Sequence, residues 1–479
     1  MPLHPTRRAV PNQKRLENSV TPNCGKVVGT QKRLICVVNL PIEGHYYTVG
    51  HGAHPSWVAP QAALLPYRVA PQAALLPDRV APQAALLPDR VAPQAALLPD
   101  APTMGDVSDT APIDPSPLLT LPGAVPSPED SADHAVAWHY GNPFGEQRDA
   151  TSAAAVIDRS NRFVIAISGD ERLTWLDTIS SQQVQNLPDG MSAENLSLDI
   201  NGRVEHHFVQ TDLDGITWID TEAANGPDLL AFLKKMVFWS KAEPREGHEL
   251  AVLSVLGSDA QRVLGAAGAP TPEDVYAALP LEGGGFIRRM PWPGQNAYDL
   301  LVPRTSLAAW FKKLREQGAT PAGTWTYEAL RVESIRPRVG IDTDEKTIPH
   351  EVRWIGGVAE LGAVHLSKGC YRGQETVARV HNLGRPPRHL VLLHLDGSAD
   401  GRPETGDPVT AGGRTVGRLG TVVDHFELGP IALALIKRTI PAGTELVVGP
   451  CAASIDPDSI PNYDDVQAGR AAIDRLRGR

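Results

Sequence analysis

The string Lys368-Gly369-Cys370-Tyr371-Arg372-Gly373-Gln374-Glu375 sets a thiol between two glycines and two basic residues. Its cysteine is the only one between residues 37 and 450. Glycine allows close approach to the backbone, and nearby positive charge favours the reactive thiolate. The same pattern also suits a buried structural cysteine in a tight turn. The eight residues alone therefore leave a reactive and a structural role open for Cys370.

Continued through Thr376-Val377-Ala378-Arg379, the string resembles the signature of the YgfZ family. These are folate-binding proteins of the aminomethyltransferase superfamily, related to the T-protein of glycine cleavage and linked to iron-sulfur protein maturation. The pattern Lys-Gly-Cys-Tyr-x-Gly-Gln-Glu, which includes Lys368, Gly369 and Gly373, is matched at every fixed position. Such a densely specified pattern discriminates far better than a lone glycine motif. The resemblance extends over about residues 134–460.

The resemblance implies an α+β fold, in which an aminomethyltransferase-like, folate-binding body is followed by a small C-terminal β-barrel. Hydrophobic periodicity agrees, because strands and helices alternate up to Pro386-Pro387 without a doubly wound run of parallel strands. An Asn201-Gly202 turn predicts a hairpin, since Asn-Gly readily takes positive φ angles. The patterns predict helices over 170–179, 227–238, 306–317 and 325–334. They predict barrel strands over 389–395, 408–411, 415–419, 421–424, 431–436 and 445–448.

The chain divides into four predicted segments. Residues 1–130 contain four nearly identical copies of Val-Ala-Pro-Gln-Ala-Ala-Leu-Leu-Pro, which begin at Val58, Val69, Val80 and Val91. Two prolines in each 11-residue unit oppose a helix, so we expect a long, disordered Pro/Ala-rich segment that buries no core. The body then spans 131–387, the barrel 388–460 and a polar tail 461–479.

The composition limits the classes of binding partner and the cellular compartment that we expect for this protein. The net charge is −10, and since residues 1–50 carry about +5, the remainder carries about −15. An acidic body argues against nucleic acid as the main partner. No apolar run reaches the roughly 18 residues of a membrane span. The four cysteines lie far apart without metal-ligand spacing, so we expect no metal site and a reducing, cytoplasmic location.

The resemblance implies a tetrahydrofolate cofactor whose pterin is held by a glutamate, as in the T-protein branch. A pterin presents an amino group and a ring N–H side by side, and one carboxylate accepts both. Glu333 is the candidate, in an Arg-x-Glu helix end that begins at Arg331. It shares a helical stripe with Leu330 and Ala329, so we expect it to face inward. The alternative is a surface glutamate that pairs with Arg336 or Arg331.

Further residues could bind the folate. Arg331, with Arg336 and Arg338, could meet its glutamyl tail, or the three could form a solvated face. Among the aromatic residues Trp325, Tyr327 and Trp354, core filling is the better interpretation than pterin stacking. We also expect Tyr371, Gln374 and Glu375 of the signature to line one pocket wall. Glu375 could instead pair with Lys368 or Arg379 and hold the loop in shape.

The T-protein branch has an aspartate after the glycine of its early hairpin, where it assists transfer. In this chain Asn201-Gly202-Arg203-Val204-Glu205-His206-His207 occupies that place and offers no aspartate. Glu205 and His206 are an acid and a base, but adjacent strand residues point to opposite faces. We therefore expect them to be structural, and enzymatic transfer is in doubt.

Three functions compete. The first is a tetrahydrofolate-binding accessory factor in iron-sulfur protein assembly or repair, with folate and iron-sulfur client or assembly proteins as partners and Cys370 as a functional thiol. The second is a tetrahydrofolate-dependent aminomethyl- or methyltransferase. The third is a structural interaction module that has kept the fold and lost the ligand.

Overall fold

The structure is a computed structural model that describes residues 114–294, 296–383 and 385–461. The four repeats, most of the predicted disordered segment and residues 462–479 of the predicted tail lie outside the described residues. The prediction for 114–130 was wrong. Residues Pro117–Thr120 form a 3₁₀ helix capped by the Ser116 side chain, and Leu118 is buried among apolar side chains of the body. A segment that looked too rich in proline to bury a core therefore contributes to one.

The body is built from helices and two main sheets. Its helices are α1 (Pro143–Ser152), α2 (Arg172–Ile179), α3 (Gly226–Lys235), α4 (Ala260–Ala266), α5 (Leu307–Glu316), α6 (Thr324–Glu333) and α7 (Gln374–Leu383). Its strands are β1 (Val125–Pro126), β2 (Ala137–His139), β3 (Ala155–Asp158), β4 (Phe163–Ser168), β5 (Met191–Leu198), β6 (Val204–Leu213), β7 (Ile216–Thr221), β8 (Glu243–Glu246), β9 (Leu250–Leu256), β10 (Ala278–Pro280), β11 (Phe286–Met290), β12 (Ala297–Pro303) and β13 (Thr320–Ala322).

Strand pairing gives the body an α+β topology, as expected. One sheet has the order β10-β11-β12-β9-β3-β13, and the other has the order β5-β6-β7-β4-β8. Only the β3–β13 pair is parallel among the described strands; all other pairs are antiparallel. The predicted hairpin is β5–β6, which turns at Asn201-Gly202, where Gly202 has φ +75°. The carboxylate of Asp199 accepts hydrogen bonds from two turn amides and fixes this bend.

A core forms where helices cover the six-stranded sheet. On α5, Leu307, Phe311 and Leu314 are fully buried, and their spacing of four and three residues puts them on one helical face. They pack with apolar residues of β9 and β12. Burying a side chain such as that of Phe311 contributes roughly 2–3 kcal/mol. The amphipathic pattern that predicted this helix is therefore the pattern that attaches it to the sheet.

The C-terminal part is a closed β-barrel, which confirms the prediction. Its strands are β14 (Arg388–Leu395), β15 (Pro408–Ala411), β16 (Arg414–His425), β17 (Gly429–Lys437), β18 (Leu446–Val448) and β19 (Cys451–Ile455), joined in the order β14-β17-β16-β15-β18-β19. The two strands predicted over 415–419 and 421–424 are one strand, β16, with a bulge between Leu419 and Val422. Strand β19 was missed, although it pairs with both β14 and β18 and closes the barrel.

Body and barrel share a hydrophobic core. Residues of α6, β5 and the segment before α7 pack in one cluster with β14, β16 and β17; its members include Leu198, Val332, Trp354, Tyr371, Leu392, Val423 and Leu433. Asp342 adds a polar link, because its Oδ1 accepts the Thr421 N–H at 2.7 Å and its Oδ2 accepts Arg331 Nη1 at 2.9 Å. Across the described ranges, no helix is both long enough and apolar enough to cross a membrane.

Candidate functional site

A small cavity, here called the central cavity, lies where α6 faces the five-stranded sheet. Its charged lining residues are Asp133, Arg159, Arg162, Glu222, Glu328, Arg331 and Arg338, and His207, Trp292 and Tyr327 complete much of the wall. Its volume is about 30 Å³, enough for one or two water molecules. A groove of about 780 Å³, here called the outer groove, lies beside it and is lined partly by residues 130–133, 402–405 and 421–424.

Two carboxylates of the central cavity are held ionised by arginines. The Glu328 carboxylate accepts hydrogen bonds from both Nε and Nη2 of Arg331, at 2.9 and 2.7 Å. The Glu222 carboxylate accepts a hydrogen bond from Arg162 Nη1 at 2.8 Å and another from Arg338 Nη2. Burial by itself would raise the pKa of each carboxyl, but the neighbouring guanidinium groups outweigh it and hold both pKa values below the usual range. The cavity therefore presents fixed negative and positive charge side by side.

A third carboxylate, Glu194, was missed from the sequence. It is fully buried in β5 and accepts hydrogen bonds from Tyr276 Oη at 2.7 Å and Trp292 Nε1 at 2.8 Å. Arg336 also binds it, and the pKa of Glu194 lies well below its usual range because these partners outweigh burial. The one indication in the sequence was a charged residue in the middle of a strand whose other residues are typical of a buried core.

His207 is the second residue that sequence reasoning missed. Its Nε2 lies 2.8 Å from Glu194 Oε2, and its ring stacks on Trp354 with centroids 4.9 Å apart. The ring also lines the central cavity. A histidine oriented by a buried carboxylate is an arrangement that can accept and return a proton.

The expectation that Glu333 faces inward was wrong. Its side chain is 46% exposed, and its closest charged partner is His425 of the barrel, with Oε2 and Nε2 3.5 Å apart. Glu333 is the last residue of α6, where the chain leaves the helix and reaches a positive φ at Ile335. The alternative pairing is not seen either, because Arg331 and Arg336 bind other carboxylates.

The three arginines in the last turn of α6 and just after it do not form a solvated face. Arg331 and Arg338 are buried, and Arg336 is only 16% exposed at its side chain. Each is engaged by carboxylates of the body. Among the aromatic residues, Trp354 fills the core as expected, Tyr327 lines the central cavity, and Trp325 stacks on Trp138 at 4.6 Å beside the outer groove.

Lys368 anchors the signature loop to the end of α2. Its ammonium donates to the carbonyls of Ser180 at 2.8 Å and Gln182 at 2.9 Å, and also to that of Asp177. Free carbonyls at a helix C-terminus attract a cation. Burial lowers the pKa of Lys368 to about 8, although Asp177 acts in the opposite direction. Lys368 is thus a structural residue of the motif.

Gly373 joins the loop to the β5–β6 turn. It has φ +83°, and a Cβ there would lie 2.6 Å from the Asp199 carbonyl oxygen and 2.7 Å from Gly202 Cα. Arg372 adds an ion pair with Glu205 at 2.8 Å. Gly369, in contrast, has open space around its Cα. Between these anchors Cys370 is exposed, so the prediction of a buried turn cysteine is excluded.

The remaining signature residues do not line the central cavity. Tyr371 is buried in the core shared with the barrel, and burial raises its pKa to about 12. Gln374 and Glu375 start α7. The predicted common pocket wall of these three residues is therefore not part of the cavity, because the loop packs against the tip of the β5–β6 hairpin instead.

Comparison with known proteins agrees with this architecture. Residues 135–356 match the family model of the GCVT N-terminal domain. In this region the chain is similar to the glycine cleavage T-protein superfamily. An aminomethyltransferase of Nitrosococcus oceani is 25% identical over 347 residues, which cover 70% of this chain and 90% of that protein. A putative chloroplastic transferase of Arabidopsis thaliana, At1g60990, is 23% identical and covers 62% of this chain and 69% of its own length.

A solved structure shares the fold of this chain. The glycine cleavage system aminomethyltransferase T from Bartonella henselae superposes with a TM-score of 0.62 at 20% identity, covering 71% of this chain and 94% of that one. At this identity the likeness concerns the fold alone. Within the described ranges, no group of three or more His, Cys, Asp or Glu residues has the geometry of a metal site.

Glu205 and His206 have separate partners, as expected for adjacent strand residues. Glu205 binds Arg372 and accepts Ser197 Oγ at 3.3 Å, whereas the ring of His206 stacks on Phe232. Burial lowers the pKa of His206 to about 4. The negative charge of Asp228 opposes this shift, and the positive charge of Arg372 adds to it. His206 is thus a neutral core residue near pH 7.

Acidification should destabilise the protein through its buried histidines. The pKa of His350 is also lowered to about 4, by burial and then by His381, so both His206 and His350 are neutral when folded. An unfolded histidine has a pKa near 6.5, so the unfolded state binds more protons between about pH 6.5 and pH 4. The free energy of unfolding should fall by roughly 1–3 kcal/mol from pH 7 to pH 5. Urea unfolding at a series of pH values measures it.

The matched control is a pair of variants. His206→Gln combined with His350→Gln should reduce the pH dependence, leaving the part due to His389, whose pKa burial also lowers to about 4. His134→Gln, at an exposed position, should leave the pH dependence unchanged. An equally steep pH dependence in the double variant would assign the effect to other groups.

Proposed function

We propose that this chain binds a tetrahydrofolate-type cofactor in the central cavity, as a protein of the YgfZ type. The observation that carries the proposal is the pair of ionised carboxylates, Glu222 and Glu328, in a cavity walled by Tyr327 and Trp292. A carboxylate accepts the adjacent amino and ring N–H groups of a pterin, and aromatic walls favour a flat ring. Two of the relatives are named aminomethyltransferase and putative transferase. In this proposal Glu222 and Glu328, rather than Glu333, are the carboxylates that bind the pterin.

The central cavity must widen to admit a pterin. At about 30 Å³ it is far smaller than pockets that bury small-molecule ligands, which measure roughly 300–1,000 Å³. The outer groove, at about 780 Å³, lies within that range and shares Asp133, Thr324, Glu328 and Arg338 with the central cavity. Entry through the groove therefore requires only that this shared wall move.

Titration with tetrahydrofolate followed by calorimetry tests both ligand and location. Glu222→Gln and Glu328→Gln should each weaken binding by roughly 10–100-fold, because a hydrogen bond to a charged group contributes about 1.5–3 kcal/mol. Glu333→Ala should change the affinity less than twofold, since its carboxylate lies outside the cavity. The absence of any heat with the wild type would favour a structural module. A large loss only in Glu333→Ala would move the pterin to the end of α6.

We further propose that Cys370 serves the assembly or repair of iron-sulfur proteins in the cytoplasm, with iron-sulfur client or assembly proteins as partners. Support comes from the intact signature and from the way its loop is held: Lys368 and Gly373 fix both sides of an exposed thiol. An exposed thiol on a loop held at both sides is accessible to another protein.

Replacing the thiol tests this role. Cys370→Ala should fold with nearly unchanged stability, because the side chain is exposed, yet it should fail to restore iron-sulfur enzyme activity in cells that lack the wild-type protein. The control is Cys451→Ala, whose buried thiol donates to the Gly401 carbonyl in the barrel. Full restoration by Cys370→Ala would exclude a role for the thiol.

The contact between His207 and Glu194 favours a second candidate, a tetrahydrofolate-dependent aminomethyl- or methyltransferase. Here His207 lines the cavity and a buried carboxylate orients it, so the pair supplies a base although the β5–β6 hairpin has no aspartate after its glycine. Incubation with tetrahydrofolate and one-carbon donors should then yield methylene- or methyl-tetrahydrofolate. Turnover that His207→Asn abolishes would support the transferase, and a lack of turnover with every donor would count against it.

A further inference from the structure

The loop between β1 and β2, residues 127–136, lines the outer groove and contributes Asp133 to the wall of the central cavity. The strands on either side pair with each other, and Ser127 Oγ lies 3.2 Å from Thr324 Oγ1 at the start of α6. Within the loop, short backbone hydrogen bonds, such as that from Ser131 N to the Pro128 carbonyl at 2.9 Å, form successive turns. The loop is therefore attached at its base and compact at its tip.

Asp133 is the residue of this loop that enters the cavity wall. Its Oδ2 accepts Arg338 Nη1 at 2.8 Å, and its Oδ1 accepts Asn161 Nδ2 at 2.7 Å and Arg338 Nη2 at 3.3 Å. The guanidinium fork thus binds a carboxylate through two nitrogens, the geometry by which arginine recognises carboxylate ligands. Asp133 lines both the central cavity and the outer groove, so its side chain forms part of the partition between them.

Arg338 has a further donor to offer. The residue lines the cavity and is buried, with only 8% of its surface exposed. Its Nε nevertheless has no hydrogen-bond partner among the described residues. Its Nη2 also binds Glu222, and Nη1 lies 3.3 Å from Glu328 Oε2. A buried donor without a partner costs free energy unless something in the functional state pairs with it.

We infer that Arg338 and Asn161 form a carboxylate-binding subsite that the chain's own Asp133 fills, and that a ligand carboxylate takes its place when the β1–β2 loop lifts. The exchange replaces one carboxylate with another, so the buried guanidinium keeps a partner in both states. Lifting the loop also removes part of the partition and joins the 30 Å³ cavity to the outer groove. The inference rests on the proposed function only for the identity of the ligand that carries the carboxylate.

The first experiment needs no ligand. Hydrogen exchange of residues 127–136 should be several-fold faster in Asp133→Ala than in the wild type, because the contacts that hold the loop tip are lost. The control is Glu129→Ala, which removes the same charge from an exposed position in the same loop and should leave exchange unchanged. Equal exchange in Asp133→Ala and the wild type would overturn the inference.

The second experiment measures the subsite itself by calorimetry, with glutarate as a simple dicarboxylate and 5-formyltetrahydrofolate as a folate. Asp133→Ala should bind glutarate on the order of tenfold more tightly than the wild type or Glu129→Ala, because no internal carboxylate competes. Adding Arg338→Lys to Asp133→Ala should reverse the gain, since lysine lacks the fork.

The two probes separate the subsite from the proposed function. Glutarate binding that Asp133→Ala does not strengthen, or no glutarate binding in either protein, overturns the carboxylate subsite. Strengthened glutarate binding without any binding of 5-formyltetrahydrofolate supports the subsite and rejects folate as the ligand. Strengthened binding of both supports the two proposals together.

Discussion

Lys368→Met should lower the free energy of unfolding by roughly 3–5 kcal/mol, the range seen when one partner of a buried charged contact is removed. Methionine has a similar length and is fully apolar, so the loss concerns polar contacts rather than volume. The buried carbonyls of Ser180 and Gln182 would lose the ammonium that now pairs with them. An unsatisfied buried acceptor costs about 1–3 kcal/mol. Urea unfolding monitored by circular dichroism measures the change.

Replacing a buried lysine with an apolar residue is not always destabilising, so the control matters. Where a charge is buried in apolar surroundings, such a change is often neutral. Lys368 differs because backbone carbonyls surround its ammonium. Lys346→Met, at an exposed position, should change stability by less than 0.5 kcal/mol in magnitude, as is usual for surface substitutions. Equal stabilities of the two variants would show that water replaces the ammonium at little cost.

Gly373→Ala should destabilise the protein by roughly 2–4 kcal/mol. The left-handed φ of +83° costs a residue with a Cβ about 1–2 kcal/mol. The Cβ would also lie 2.6 Å from the Asp199 carbonyl oxygen, so the signature loop and the hairpin turn would have to separate. Thermal unfolding should show a lower melting temperature, and hydrogen exchange should increase at Gly202 and around Cys370.

The signature provides its own control for this change. Gly369 lies on the other side of Cys370, has no positive φ, and would have open space around a Cβ. Gly369→Ala should therefore leave the melting temperature nearly unchanged. If both variants melt at the same temperature as the wild type, the contact between the loop and the hairpin carries little stability.

The fold was largely predictable, because its determinants are local. Asn201-Gly202 fixed the hairpin, the four- and three-residue spacing of Leu307, Phe311 and Leu314 fixed α5, and short strands after Pro387 indicated the barrel. The errors have local causes as well. A two-residue bulge made β16 read as two strands, and Leu118 was judged by its proline-rich neighbours although it packs against a distant core.

The site was less predictable, because its contacts join distant segments. Glu194 meets Arg336 across 142 positions, and Asp133 meets Arg338 across 205. A sequence shows that these side chains are charged, but not which of them meet. Glu333 illustrates the opposite error: helical spacing suggested an inward face, and the end of the helix turned the side chain outward.

The shared core between body and barrel governs how the protein can be divided for expression. A fragment that stops at Pro387 would expose Val332, Trp354 and other apolar side chains that now pack on the barrel strands. The same cut would leave the Asp342 carboxylate without the Thr421 amide. Such a fragment should aggregate when produced alone. Calorimetry and hydrogen exchange are therefore best carried out on chains that retain both parts, with any shortening confined to positions before Asp114.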